Sequence, residues 1–201
     1  MNLVCQAIPS LGETKMSISR DESIALLKQF IKNEKMIAHS LASEAVMAAV
    51  AKRLGENADD WAVAGLLHDI DVEITDGDMK THGLKAVEIL NEKGYDKDII
   101  EAIKLHNEEA AGEDRSKKFH FALAASETIT GLIFATALVY PDKKLASVKP
   151  KSITKRMKEK IFAASVRREC IMECEKIGIP LDEFAELSLK AMQEISDELG
   201  F

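Results

Sequence analysis

Apolar residues recur every three to four positions along most of the chain, and that period predicts helices almost throughout. Ile24, Leu27 and Ile31 mark the first, over 20–33, with Ser19 or Asp21 placed to cap its start. In 37–54 the stripe Leu41, Ala45, Ala48, Ala49 continues until Gly55 stops it, and His39 falls in the first turn. Trp61, Ala64, Leu67 and His68 share a face over 58–71, which runs into the turn-prone Thr75-Asp76-Gly77-Asp78. Thr81 is placed to cap a helix over 82–93 closed by Gly94, and Asp96 one over 97–107. The apolar stretch 119–139 reads as a central buried helix or a broken pair, with Glu127 its only carboxylate.

Pro141 and Pro150 frame a basic loop, beyond which the spacing predicts helices over 153–162, 164–176 and 181–199. No segment alternates in the manner of a strand. The expected fold class is therefore all-α, a single helical bundle over 19–201 preceded by a flexible arm, 1–18, in which Met16 is a second possible start. Within the bundle, 37–139 forms the chemical core, and 140–201 supplies the basic loop and C-terminal helices.

Composition adds limits. With 201 residues, 46% hydrophobic and 30% charged, the chain has enough apolar matter for one sizeable core. No uninterrupted apolar run reaches the ~18–20 residues of a membrane span, and Met1–Leu11 lacks a secretory pattern, so a cytoplasmic protein without a membrane partner is expected. Cys5, Cys170 and Cys174 give no even disulfide framework. On a helix Cys170 and Cys174 share a face, and buried packing is a plainer reading for them than metal binding.

Charge is segregated. Residues 56–114 hold 17 acidic and 5 basic side chains, whereas 141–170 hold 10 basic and 3 acidic, within a net charge of −7. Lys144, Lys149, Lys151, Lys155 and Arg156 are candidates to hold substrate phosphates, the rival reading being a solvated face paired with the acidic half. Nucleic acid is a disfavoured partner, because the overall charge is negative and aromatic residues make up 5%.

All five histidines lie between positions 39 and 120, and His68-Asp69 puts an imidazole beside a carboxylate that can bridge two cations. Imidazole and carboxylate without thiolate suit an open catalytic site for one or two divalent metals: Mn, Fe, Co, Ni or Zn, with Mg a further candidate. Paired metals clamp a phosphoryl group and acidify water. Glu73 and Glu108, close by, are candidate general acids on a stretch where solvated charge is the plainer reading. His120, behind two lysines, reads as a cap or a surface residue.

The ordered elements His39, Leu-Leu-His68-Asp69-Ile70, Thr81-His82-Gly83, Leu105-His106-Asn107-Glu108 and Ala-Ser-Glu127-Thr-Ile-Thr-Gly resemble the HD-domain superfamily of metal-dependent phosphohydrolases, in its HDIG-type branch. The resemblance runs from about Ile37 to the C-terminus and implies a helical bundle with the ligands at its centre. It also implies that His39, His68, Asp69 and Glu127 hold one metal, and that Asp69, His82 and His106 hold a second. His68 and Asp69 would be catalytic, and a small anionic phosphorylated molecule, nucleotide-like, would be the substrate. The chain departs from the pattern twice: Glu127 stands where Asp is usual, and Asp71 where the HDIG motif ends in glycine. Two other functions fit the same residues, a di-iron oxygenase on the same scaffold and a non-catalytic, metal-stabilised ligand-binding module.

Overall fold

The computed structural model describes residues 18–201, and the 1–17 portion of the expected arm, with Cys5, lies outside them. The described chain is all helical: α1 (Arg20–Phe30), α2 (Glu34–Leu54), α3 (Ala58–Leu67), α4 (Leu84–Glu92), α5 (Lys97–His106), α6 (Glu108–Ala111), α7 (Lys118–Leu138), α8 (Pro150–Met157), α9 (Arg168–Ile171) and α10 (Leu181–Glu194). Short 3-10 turns occupy Leu145–Ser147 and Met172–Ile177.

Local chemistry sets the ends. Ser19 and Glu22 form a reciprocal capping box at α1. Asn33 accepts from Lys35 N and starts α2 three residues earlier than the apolar stripe implies, which moves His39 from the first turn to the second. Thr81 does not cap α4; its hydroxyl donates to Asp78 O (3.3 Å), and Gly83 takes the cap position at φ 91°. The helices expected over 153–162 and 164–176 are shorter than the periodicity suggests. Pro150 opens α8 as a first-turn proline and α8 ends at Met157, while α9 is a single turn that tightens into a 3-10 segment.

Two helices of 21 residues each, α2 and α7, form the centre. By length and composition α7 is also apolar enough to cross a membrane, although His120, Thr130 and Thr136 break its apolar runs. Here it is a core helix: Leu123, Ile129, Leu132 and Ile133 are fully buried in one apolar core with Val46, Met47 and Val50 of α2. Each such side chain contributes roughly 1.5–3 kcal/mol when withdrawn from water. From the C-terminal part, α10 packs on α2 and α8, and the 3-10 turn at Met172–Ile177 packs on α7.

The most extensive pairing is α2 with α3, and it depends on one residue. A Cβ built on Gly65 would stand 2.5 Å from Ser43 O and 2.9 Å from Glu44 N, so the two backbones touch where only glycine fits. This close crossing brings the end of α3 against the second turn of α2.

Candidate metal centre

Four helix ends and flanks converge there. His39 projects from α2, His68 is the C-cap of α3 with Asp69 next, His82 precedes α4, and His106 closes α5. Asp69 lies between the four rings. Its Oδ1 is 3.3 Å from His68 Nε2, 3.1 Å from His82 Nε2 and 3.5 Å from His106 Nε2, and its Oδ2 is 3.6 Å from His39 Nε2. Two ligand-like groups result, His39/His68/Asp69 and Asp69/His82/His106. Asp69 keeps 13% of its side-chain surface exposed and His39 19%, against 1% for His68, so the centre is most open beside His39.

The rings are all turned the same way by acceptors behind them. His39 Nδ1–H donates to Thr130 Oγ1 (2.9 Å), whose own hydroxyl donates to Glu127 O (2.7 Å). His68 Nδ1–H donates to Gly65 O (2.8 Å), His106 Nδ1–H to Ile103 O (2.5 Å) and His82 Nδ1–H to Asp71 Oδ1 (2.8 Å). Each ring therefore keeps a proton on its outer nitrogen and aims Nε2 at Asp69. His39 and His68 Nε2 are 3.1 Å apart, and His82 and His106 Nε2 3.0 Å. Adjacent ligands at roughly a right angle around one cation, with bonds of about 2.1 Å, stand about 3 Å apart. The donor set fits a divalent metal in each group.

Asp71 explains one departure from the motif. It is fully buried, and beyond His82 its Oδ2 accepts from Gly83 N (2.8 Å) and Ala86 N (3.0 Å), so it caps α4 and orients the His82 ring at once. Asn107 adds a second tie, donating to Met79 O (2.8 Å) and His82 O (2.9 Å). Replacing Asp71 by alanine is expected to weaken metal binding about 10–100-fold, the usual effect of removing such an outer partner. Equilibrium dialysis with Mn checks this, and unchanged affinity would show that Asp71 only caps the helix.

Burial opposes charge on His82, but its hydrogen bonds to Asp69 and Asp71 outweigh that and push it up to about 10. Burial likewise opposes charge on His68, and the neighbouring Asp69 carboxylate raises it. His39, by contrast, is lowered to about 4 by burial and by the positive field of His68. Despite its burial, Asp69 is held well below the carboxylate range by His68 and by bonds from His106, His68 and His82. A raised histidine stabilises the metal-free fold below its unfolded value, and that contribution is lost as pH climbs through about 10. Metal competes for the same nitrogen and gains as the proton leaves. The rise in Tm on adding Mn should thus grow from about pH 6 to about pH 8 by fluorimetry; a rise that shrinks across that window would refute the competition.

A family model described as an HD domain matches residues 36–139, about half of the chain. The chain belongs to the HD domain family. HD domains are typically metal-dependent hydrolases, and the matched range holds all four rings, Asp69 and Glu127. The chain is also similar to "Ribonuclease Y" of Mesoplasma florum, 34% identical over 80 residues, which is 40% of this chain and 16% of that protein. No solved structure matches.

Glu127 does not join either ligand group of this HD domain. Its carboxylate accepts from the Thr128 hydroxyl, and burial raises its pKa. With His39, Thr128, Gly131, Ser165, Val166 and Arg167 it lines a cleft of about 200 Å³ at the open side of the centre. The five basic residues expected at the phosphates are not among that lining. Lys144, Lys149 and Lys151 are exposed, Lys155 faces Glu159 at 4.0 Å, and Arg156 pairs with Glu159 and lies 4.1 Å over the Phe162 ring. The basic side chain at the cleft is Arg167, counted in the basic block by sequence but not singled out.

Other candidates have structural work. Glu73 accepts from Lys32 N (2.9 Å) and Asn33 N (2.8 Å) at the α1–α2 junction, and Glu108 pairs with the buried Arg115 (2.8 Å). Arg115 in turn donates to Leu105 O (2.9 Å) and His106 O (3.2 Å), fixing the end of α5. His120 is buried and receives Ser116 N and Lys117 N, each at 3.4 Å, at the start of α7. Cys170 and Cys174 are buried free thiols, and burial pushes Cys174 up to about 12.

Proposed function

We propose that this HD domain hydrolyses phosphate esters or anhydrides of a small phosphorylated molecule, nucleotide-like in class, with divalent metal at Asp69. The observation that carries the reading is the convergence of four Nε2 atoms on one carboxylate, each ring tied from behind through Nδ1. His39, His68 and Asp69 would hold one metal, and Asp69, His82 and His106 a second. Metal there supplies Lewis acidity toward a phosphoryl oxygen and lowers the pKa of water toward neutrality.

The chain's own residues do the rest. His68 is almost wholly buried and its ring cannot turn without breaking its bond to Gly65 O, so it holds its position beside Asp69. Asp69 stays ionised through the working range, so its two oxygens remain available to the cations the rings would hold. The polar mouth formed by Glu127, Thr128 and Ser165 offers hydroxyls and a carboxyl to bind and orient a phosphate-bearing substrate.

The partial relative's name makes RNA a second substrate to test. The net charge of −7 and the small size of the cleft favour a small molecule over a polymer. The test is phosphate release by Mn-loaded protein from phosphomonoesters and nucleotides, alongside cleavage of short RNA. Release that stops with chelator and returns with Mn supports the reading, RNA cleavage alone corrects the substrate class, and neither activity refutes it.

A further inference from the structure

Between α8 and α9 the chain makes a loop, residues 158–167, built around a single guanidinium. Arg168 donates to Ala163 O (2.6 Å), Val166 O (2.7 Å), Glu159 O (3.4 Å) and Phe162 O, so one side chain gathers four carbonyls of the segment. Ala163 takes a left-handed turn at φ 45° within it. The loop ends on Ser165, Val166 and Arg167, which form one wall of the cleft opposite His39 and Glu127. Val166 also sits against Gly131 of α7, where a Cβ would come 3.4 Å from its Cγ2.

Arg167 is the one cation in that wall. Its Nε donates to Glu169 Oε1 (3.1 Å), which anchors one edge of the fork, and its terminal nitrogens make no hydrogen bond among the described residues. The side chain is 52% exposed, so it is neither buried nor committed to the core. It also lines a neighbouring cleft of about 260 Å³ beside Glu108, Arg115 and Glu173. Arg167 is the residue the two clefts share, and each is smaller than a typical small-molecule site of roughly 300–1,000 Å³.

We propose that Arg167 is the anion-recognition residue of this HD domain, receiving phosphoryl oxygens at the metal cleft. A free guanidinium edge matches a phosphate geometrically in a way that a lysine does not. The loop held by Arg168 keeps Arg167 in the lining of the cleft that also holds His39 and Glu127. This inference rests on the phosphohydrolase reading above, and it goes further by assigning recognition to a residue outside the matched family region.

The experiment is calorimetric titration of inorganic phosphate into Mn-loaded protein, with metal content recorded on each sample, for wild type, Arg167→Ala and Arg167→Lys. Wild type should bind phosphate, Arg167→Ala should bind about 10–100-fold more weakly at unchanged metal content, and Arg167→Lys should recover part of the loss. Because Arg167 is half exposed, the variants keep the fold, and equal Tm values verify that. Phosphate affinity in Arg167→Ala within about twofold of wild type overturns the proposal while leaving the metal centre and its chemistry intact. Loaded wild type that takes up no phosphate overturns the phosphohydrolase reading and this proposal with it.

Discussion

Asp69→Ala should lower metal-dependent phosphate release about 10³-fold or more while leaving the helical circular-dichroism signal in place. The loss of a metal's charge stabilisation is worth several kcal/mol in the transition state, and each 1.36 kcal/mol is a factor of about ten in rate. Asp69 is the residue shared by both ligand groups, so its removal weakens both at once. Asp69→Asn keeps the volume and loses the charge, and should fall nearly as far. The check is turnover together with Mn affinity by equilibrium dialysis. An alanine variant that binds Mn within about twofold of wild type would show that the four rings hold metal without the carboxylate.

The second large effect is structural. Gly65→Ala should destabilise the protein by about 3 kcal/mol, a Tm loss of roughly 6–12 °C. Helix propensity alone predicts the opposite sign, since alanine in a helix is favoured over glycine by about 1 kcal/mol. The steric term wins because the added Cβ would meet backbone, Ser43 O at 2.5 Å and Ser43 C at 2.7 Å, which no rotamer change relieves. Any retreat of α3 also widens the 3.1 Å gap between His39 and His68, so metal affinity should fall with stability. Gly131 is the comparison: a Cβ there meets only Val166 Cγ2 at 3.4 Å, and Gly131→Ala should be neutral or slightly stabilising. Chemical denaturation of both variants decides, and a stable Gly65→Ala protein would mean the helices have room to part.

Much of this was legible in the sequence because helical burial imposes a period that hydrophobic residues record. The stripes placed α1, α2, α3, α5, α7 and α10 with errors mainly at their ends, where polar caps rather than apolar residues decide. Asn33 is such a case: it lies outside the stripe that marks α2, yet it sets where the helix starts. The segment 164–176 failed for another reason. Its apolar spacing suits a helix, but Arg168 takes the carbonyls of residues 159, 162, 163 and 166, drawing the chain before α9 into a loop.

The four rings around Asp69 were legible as histidines in an order that resembled a known family. What orients them was not. Asp71 appeared in sequence only as a misfit at the end of a motif, and its service to His82 and to the start of α4 depends on a turn that folds back over eleven residues. Gly65 did leave a signal, since glycine inside an Ala- and Leu-rich helix costs about 1 kcal/mol and calls for a reason. Arg167 left less, one cation among ten in a basic block. Its distinction is spatial, because only the loop's closure brings it to the cleft while Lys144, Lys149 and Lys151 stay exposed outside that lining.

The most direct test of the metal centre is plasma mass spectrometry on untagged wild-type protein, stripped with chelator and reloaded separately with Mn, Fe and Co. One to two equivalents per chain, bound through desalting and absent from Asp69→Ala, is the result expected from two ligand groups sharing one aspartate. No retained metal in wild type under any of the three loadings would contradict the account and leave the four histidines as packing.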